Sequence, residues 1–293
     1  RLRQVCNESG LNHYMGIAIS AFVATIIAWA STLLPAEWTS TPWHPLLACA
    51  LFIVPGVPLI NFVDDMLDNY IQVGIVRAVN TLLMVAAMAF GIAFAVKLCH
   101  IENFFPTISM VPHHQYWEYA IAAAISAMGF SMIFNIQRRL LWVVAIVGII
   151  AVCTRNFVNL GPSTDNIGLD MGLVIGSFSG AVLVSLIAIK AVHWFHVPNH
   201  VLTIPSVIPM IPGVLMYRML FGIININVQS IDQVTPLMKA IESGVNSGLV
   251  IMCIALGVAI PNIFGRRFIA SSKNKRLAEL LKERKARGKF VEW

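Results

Sequence analysis

The residues of this chain best placed for chemistry are prolines and glycines in the middle of two long apolar segments. Pro55, Gly56 and Pro58 interrupt the first segment, and Pro212 and Gly213 interrupt the second. Proline removes a backbone donor and clashes with the preceding helical turn, so each segment should break near its centre. A half-helix starting after such a break directs the positive end of its dipole at the centre, which suits a carboxylate. The pattern predicts a ligand site at two broken helices, and a kink that serves packing alone is the alternative.

Charged and amide side chains inside apolar segments are the second set of candidates, because placing a charge there costs roughly 2.5 to 3.5 kcal/mol by insertion scales. Arg77 and Asn80 share one helical face, and Glu242 and Asn246 are one turn apart near the start of another apolar segment. Arg218 lies in the outer half of the second broken segment. We expect these side chains to face a substrate pathway. The alternatives are a structural ion pair for the charged residues and interhelical hydrogen bonds for the asparagines.

Three acidic residues, Asp64, Asp65 and Asp68, follow the first broken segment. A carboxylate at this mouth could hold a substrate ammonium or exchange a coupling proton, and a solvated acidic loop is the alternative. The five cysteines are scattered without CxxC or Cys/His spacing, so they predict neither a metal site nor a disulfide framework. The sequence also shows no Ser-His-Asp order, Walker loop or paired catalytic carboxylates. We therefore predict no enzyme, metal or cofactor.

The composition places these candidates in a membrane. Hydrophobic residues make up 58% of the 293 residues, charged residues only 12%, and the mean hydropathy is +0.77. Soluble domains average about 25% charged residues, so a soluble enzyme is excluded. The net charge of +6 is concentrated in the last 28 residues, which carry +7, while the rest of the chain carries −1. A folded nucleic-acid-binding domain would need a basic face instead.

Eight segments are apolar enough to span a bilayer of about 30 Å. They are residues 11–34, 45–66, 70–96, 118–136, 139–154, 168–194, 201–223 and 238–264. Arginines in short flanks mark the cytoplasmic side. They occur before the first span, between the fourth and fifth, and after the eighth: Arg1, Arg3, Arg138, Arg139, Arg266 and Arg267. Both ends of this chain are therefore predicted to be cytoplasmic.

An internal repeat relates the first three spans to the last three. The matches are 14–17 with 170–173, 54–57 with 211–214, and 78–81 with 244–247, at offsets of 156, 157 and 166. In the last register Gly91 corresponds to Gly257 and Asn80 to Asn246. Five crossings separate the first copy from the second, so the second copy is inverted in the membrane. Inverted repeats are typical of secondary transporters, which bind substrate at the interface between the copies.

The predicted fold is therefore an all-α, polytopic integral membrane helical bundle with inverted-topology repeats and Pro/Gly-broken helices. Residues 1–97 form the last three helices of the first repeat, and residues 98–117 form an extracytoplasmic loop. Residues 118–265 form a complete five-helix repeat, and residues 266–293 form a basic cytoplasmic tail. Two helices of the first repeat are expected before Arg1, because spans four and five have no counterparts in this chain. Lysines near span ends, Lys97, Lys190 and Lys239, are expected to reach the headgroups.

The sequence resembles the bacterial threonine/serine exporter family. The resemblance rests on residues 52–61, which end in Asn61, with Asp64 and Asp65, on Gly74 to Arg77, on residues 204–213, and on Tyr217-Arg218. Residues 129–135 with Arg138 and Arg139 resemble the start of that family's second half. The resemblance implies a ten-helix exporter of two five-helix halves, driven by the proton-motive force, in the bacterial inner membrane. Split members of the family are associated with export of the dicarboxylate succinate, so this substrate stays open.

The resulting hypothesis is a proton-coupled, alternating-access exporter of threonine and serine. The expected substrate-binding residues are Pro55, Gly56, Pro58, Asn61, Arg77, Asn80, Pro212, Gly213, Arg218 and Asn246, and the expected coupling residues are Asp64, Asp65 and Glu242. In a dicarboxylate exporter Arg77 and Arg218 should matter more than the acids. A membrane scaffold or channel-like assembly, possible as a homo-oligomer, is the alternative from another class, and a small-residue seam at Gly172, Gly176 and Gly180 would support it.

The basic tail has two interpretations. Residues 273–289 place Leu277, Leu280 and Leu281 on one face with basic residues around them. This pattern predicts an amphipathic helix on anionic lipid, where each basic residue near the surface contributes about 1 kcal/mol. A solvated tail that only fixes the orientation is the alternative.

Overall fold

The computed structural model describes residues 5–6, 8–30, 56–99, 115–162, 167–195, 197–224 and 234–286. Every regular element in these ranges is helical. The helices are α1 (His13–Ala30), α2 (Gly56–Leu67), α3 (Ile71–Leu98), α4 (Tyr116–Ile133), α5 (Leu141–Asn159), α6 (Leu173–Phe195), α7 (Asn199–Val207), α8 (Gly213–Ile224) and α9 (Val234–Ala286). Short 3₁₀ turns lie at Arg138–Leu140 and Ile208–Met210. The all-α polytopic membrane fold predicted from composition is confirmed.

Five of the described helices are long and apolar enough to cross a bilayer. They are α1, α3, α5 with its preceding turn, α6, and the part of α9 from Leu237 to Gly265. Many of their large apolar side chains are exposed, such as Val76 on α3, Trp142 on α5 and Phe264 on α9. A soluble protein would bury such residues, whereas lipid accepts them.

The helix boundaries differ from the predicted spans in three places. The fifth span, predicted to end at residue 154, extends to Asn159. The eighth does not stop at residue 264, because α9 continues without interruption to Ala286 and includes much of the basic tail. The seventh span is broken, although the helix runs through Pro205 and ends only before Pro212. Residues 45–55, with Pro55, and most of the loop at 98–117 lie outside the described residues.

The helix contacts follow the sequence repeat. In the first copy α1 and α2 pack against α3, and in the second copy α6 and α8 pack against α9. The equivalent glycines occupy equivalent places: Gly91 of α3 lies against the backbone of Ala18 in α1, and Gly257 of α9 lies against the backbone of Phe178 in α6. The copies are joined crosswise, because α2 also packs against α9 and α8 against α3. This arrangement places the interface between the copies among α2, α3, α8 and α9.

The opening helices of the second copy form its outer layer. α4 packs on α5, and α5 packs on both α6 and α7. The segment before α6 folds back over the end of α5, where the amides of Leu169 and Met171 donate to the carbonyls of Phe157 and Val158, both at 2.9 Å. Gly168 lies so close to the carbonyl of Leu160 that a Cβ there would collide with it. The end of α5 is thereby held against the start of α6.

Candidate transport site

The two broken spans meet where their second halves begin. α2 starts at Gly56, and a Cβ built on this glycine would lie 2.8 Å from Cδ1 of Ile211 and 3.5 Å from Cγ1 of Ile208. Ile211 is extended, with φ −63° and ψ 129°, and separates α7 from α8. The helix starts expected at Gly56 and Gly213 are therefore present. The first of them packs directly against the break in the other repeat.

A cavity of about 820 Å³ opens between the repeats, beside this crossing. Six pairs of its lining residues are equivalent in the repeat register found in the sequence. The pairs are Phe62 with Met219, Ala78 with Gly244, Thr81 with Ser247, Leu82 with Gly248, Val85 with Ile251, and Ala86 with Met252. A space lined by equivalent residues of both copies lies on the symmetry axis that relates them. This is the place where inverted-repeat transporters bind substrate.

The described wall of this cavity is apolar except for two hydroxyls, and these equivalent groups differ in their bonding. Thr81 Oγ1 donates to the carbonyl of Arg77 in its own helix at 2.7 Å. Ser247 is 2% exposed, and its Oγ has no hydrogen-bond partner among the described residues. A buried hydroxyl without a partner costs about 1–3 kcal/mol. The hydroxyl on the α9 side is thus the one available to a ligand.

An ion pair lies at the edge of the cavity. Arg77 Nη1 donates to Asp65 Oδ2 at 2.6 Å. Phe62 and Ala78, which line the cavity, are on the same helical turns as Asp65 and Arg77. The exposed fractions are 50% for the Arg77 side chain and 22% for that of Asp65, so both charges are accessible.

The turn between α2 and α3 brings these charges together. Asn69 adopts a left-handed backbone with φ 68°, a conformation that asparagine tolerates better than most residues. The Tyr70 amide then donates to the carbonyl of Asp65 at 2.9 Å, and α3 begins at Ile71. The tight turn folds the acidic end of α2 against the second turn of α3.

The remaining predicted residues are spread around this centre. Asn80 accepts a hydrogen bond of 2.7 Å from the Tyr14 hydroxyl of α1. Asn246 and Glu242 lie on an exposed face of α9, and Arg218 is half-buried on α8. Pro58, Asn61, Asp64 and Pro212 are partly buried around the two helix starts. Pro55 lies outside the described residues.

Sequence reasoning did not single out two other polar groups of the second repeat. Arg155 and Asn156 interact at the end of α5, and Ser185, Asn199 and Asn262 join α6, α7 and α9 near the other end of the bundle. In the sequence these are isolated polar residues in apolar stretches. Only the contacts between helices show that they cluster.

Comparisons with known proteins agree with the architecture. Residues 119–264 match the family model "Threonine/Serine exporter, ThrE", and residues 1–99 match the model "Putative threonine/serine exporter". No solved structure matches the chain.

Three curated relatives are similar to parts of the chain. "Probable succinate transporter subunit YjjP" of Klebsiella aerogenes is 34% identical over 97 residues, which are 33% of this chain and 37% of the relative. The protein of the same name from Escherichia coli is 32% identical over 97 residues, covering 33% and 38%. An uncharacterized protein of Haemophilus influenzae is 24% identical over 141 residues, covering 48% and 44%. The chain thus spans less than half the length of each of these relatives. With both family models matched and the repeats packed crosswise, the chain belongs to the threonine/serine exporter family of membrane transporters.

Proposed function

We propose that this chain forms the translocation core of a secondary transporter that exports threonine and serine across the bacterial inner membrane. The observation that carries the proposal is the Arg77–Asp65 pair beside a cavity shared by the two repeats. An amino acid presents a carboxylate and an ammonium on one carbon. A guanidinium and a carboxylate held side by side complement these two charges.

The same pair suggests how a proton is coupled. The substrate carboxylate binds Arg77, and its ammonium binds Asp65 in place of part of the ion pair. A proton arriving at Asp65 neutralises the carboxylate and removes its attraction for the ammonium. Proton and substrate then compete for one group, which is the requirement for exchange in opposite directions. Asp64 and Glu242 are the other carboxylates proposed for the coupling step.

Alternating access follows from the crosswise packing. α2 contacts α9 and α8 contacts α3, so a rotation of one repeat against the other changes both contacts together. The start of α2 at Gly56 and the break at Ile211 form the pivot of this motion. The predicted orientation, with both ends cytoplasmic, places the Arg77–Asp65 pair at the inner mouth of the cavity.

Export of a dicarboxylate such as succinate is the second candidate, because two relatives are named as probable succinate transporter subunits. A dicarboxylate needs two cationic partners, and Arg77 with Arg218 would supply them. The word subunit in those names also suggests assembly with a second polypeptide or a second copy. In this alternative Asp65 serves only to hold Arg77.

Counterflow in proteoliposomes containing the full-length parent protein tests the proposal. Vesicles are loaded with unlabelled threonine, serine or succinate, and uptake of the labelled compound is followed with and without a proton gradient. The proposal expects exchange of threonine and serine that a gradient accelerates. Exchange of succinate alone would support the second candidate. Absence of exchange with all three compounds would contradict transport and favour a scaffold.

A further inference from the structure

Two buried polar groups in the second repeat have no partner among the described residues. Asn156 of α5 is 4% exposed and Ser177 of α6 is fully buried. Neither the Nδ2 of Asn156 nor the Oγ of Ser177 has a hydrogen bond within the part of the chain that the structure describes. Each such group costs about 1–3 kcal/mol. Two of them in one apolar core therefore call for a ligand that satisfies both.

Arg155 fixes the direction of the Asn156 amide. Its Nε and Nη2 donate to Asn156 Oδ1 at 3.2 Å and 3.1 Å. A guanidinium has donors only, so it must face the amide oxygen, and the flipped amide is excluded. The Nδ2 group consequently points away from Arg155, into the protein, as a donor.

Asn156 and Ser177 lie at nearly the same height on facing helices. Gly176 packs against the backbone of Arg155, and Gly180 packs against that of Ala151, so α5 and α6 run antiparallel in close contact. Asn156 follows Val152 by one turn, and Ser177 precedes Ala181 by one turn. Val152 and Ala181 belong to the same apolar cluster. The two polar groups therefore extend one shared core toward the end of α5.

The charge around these groups is positive. Arg155 is half-buried in the last turn of α5, and no carboxylate of the described residues is within ion-pair distance of it. A cation near a helix C-terminus is favourable by itself. That effect accounts for the charge of Arg155 but not for two unpartnered groups beside it. An amide donor, a hydroxyl and an unneutralised guanidinium together favour an anionic acceptor of the size of a carboxylate.

We propose that Asn156 and Ser177, with Asn156 oriented by Arg155, form a second carboxylate subsite, distinct from the Arg77–Asp65 pair. This inference rests on the proposed transport function and adds a place where the substrate carboxylate binds after leaving the cavity. In the predicted orientation α5 ends on the extracytoplasmic side, so the subsite lies on the exit path. Arg155 is a positioning residue there, and Asn156 and Ser177 make the contacts.

The test compares three variants of the full-length protein with a matched control. Asn156→Asp replaces the donor with an acceptor, Ser177→Ala removes the hydroxyl, and Arg155→Lys removes the fork that orients the amide. Each should raise the half-saturating concentration for counterflow about tenfold, which corresponds to about 1.4 kcal/mol, with the maximal rate nearly unchanged. Ser179→Ala is the control, because Ser179 is on the same helix and its Oγ donates to the carbonyl of Ile175 at 2.9 Å. The control should behave as wild type.

A binding measurement separates this inference from the proposed function. Succinate should raise the melting temperature of the purified full-length protein, and dimethyl succinate should not, because the ester lacks the charge. Ser177→Ala, which is unlikely to disturb folding, should abolish most of the shift. Transport with unchanged half-saturation in the variants overturns the subsite and leaves the function standing. No transport but a succinate shift that is lost in Ser177→Ala preserves the subsite and overturns the function.

The source of the anion is decided in the same assay. A lipid headgroup would present a phosphate in place of a carboxylate. Glycerol phosphate that stabilises the protein as well as succinate does, with the same loss in Ser177→Ala, would overturn the assignment to substrate. Stabilisation by succinate and not by glycerol phosphate supports it. An equal response of wild type and Ser177→Ala to succinate also counts against the subsite.

Discussion

Gly56, the first residue of α2, lies against Ile211, the extended residue that interrupts the seventh span. One break is thus packed against the other across the interface between the repeats. The contact is made by a residue without a side chain on one side and by the flexible tip of an isoleucine on the other. Its tolerance to added volume can therefore be graded.

Gly56→Ala should be tolerated, because the added methyl meets only Cδ1 of Ile211, which can rotate away. Gly56→Val should reduce counterflow at least tenfold and destabilise the protein by about 1–3 kcal/mol, since its further methyls also meet Ile208. Thermal unfolding and counterflow on the same preparations provide the measurement. Gly129→Val is the control, because a Cβ at Gly129 has nothing within 4 Å. Wild-type counterflow by Gly56→Val would remove the crossing from the mechanism.

Asp65→Asn and Arg77→Gln should each lower threonine counterflow more than tenfold with little loss of stability. The pair is partly exposed, and such pairs contribute about 0–1 kcal/mol to folding. The exchange variant, Asp65→Arg with Arg77→Asp, should restore the ion pair without restoring transport, because the two charges are then presented in reverse order. Lys97→Gln at the end of the same helix is the control. Recovery of transport by the exchange variant would show that the pair is only structural.

Ser247→Ala should leave stability unchanged or raise it by up to about 1 kcal/mol, because it removes a buried hydroxyl that has no described partner. If this hydroxyl binds substrate, the same variant should raise the half-saturating concentration severalfold. Thr81→Val is the matched comparison at the equivalent position, where the hydroxyl is already bonded to its own helix. We expect it to have the smaller effect on half-saturation. Equal effects of the two variants would contradict the asymmetry of the cavity.

Asn262→Ala should lower stability by about 1–3 kcal/mol without changing half-saturation. Its Oδ1 accepts from the Asn199 amide and lies 3.2 Å from Ser185 Oγ, so one side chain ties α9 to both α6 and α7. Ser185→Ala should cost less, although it also removes a hydrogen bond of 2.8 Å to the carbonyl of Val258. Chemical denaturation monitored by tryptophan fluorescence ranks the two. A large change in half-saturation for Asn262→Ala would give this cluster a role in transport.

The sequence predicted the helical membrane fold and the helix starts at Gly56 and Gly213, because proline and glycine act locally. It also identified Asp65 and Arg77 as separate candidates. Their pairing could not be foreseen, since it depends on the left-handed turn at Asn69 that folds α2 against α3. The predicted roles of these residues in substrate binding and coupling stay predictions.

Buried polar groups were the part that sequence reasoning missed. Asn156 and Ser177 look like ordinary small polar residues of membrane helices, which often join helices by hydrogen bonds. Whether such a group has a partner depends on the height at which two helices pack. Here that height is set by Gly176 and Gly180, whose lack of a side chain lets α6 approach α5. The glycines had been interpreted as a packing seam, and their effect on the polar groups is visible only in three dimensions.

α9 links the cavity wall to the cytoplasmic end of the chain in one helix of 53 residues. At 1.5 Å per residue, Ala286 lies about 60 Å along the axis from Ser247. Pro261 is the single proline inside its membrane part after the cavity. Treated as a lever, this helix converts a tilt of about 10° at the cavity into a displacement of about 10 Å at its far end. A fluorophore near residue 286 would therefore report on the conformation of the cavity from the cytoplasm, without touching the substrate path.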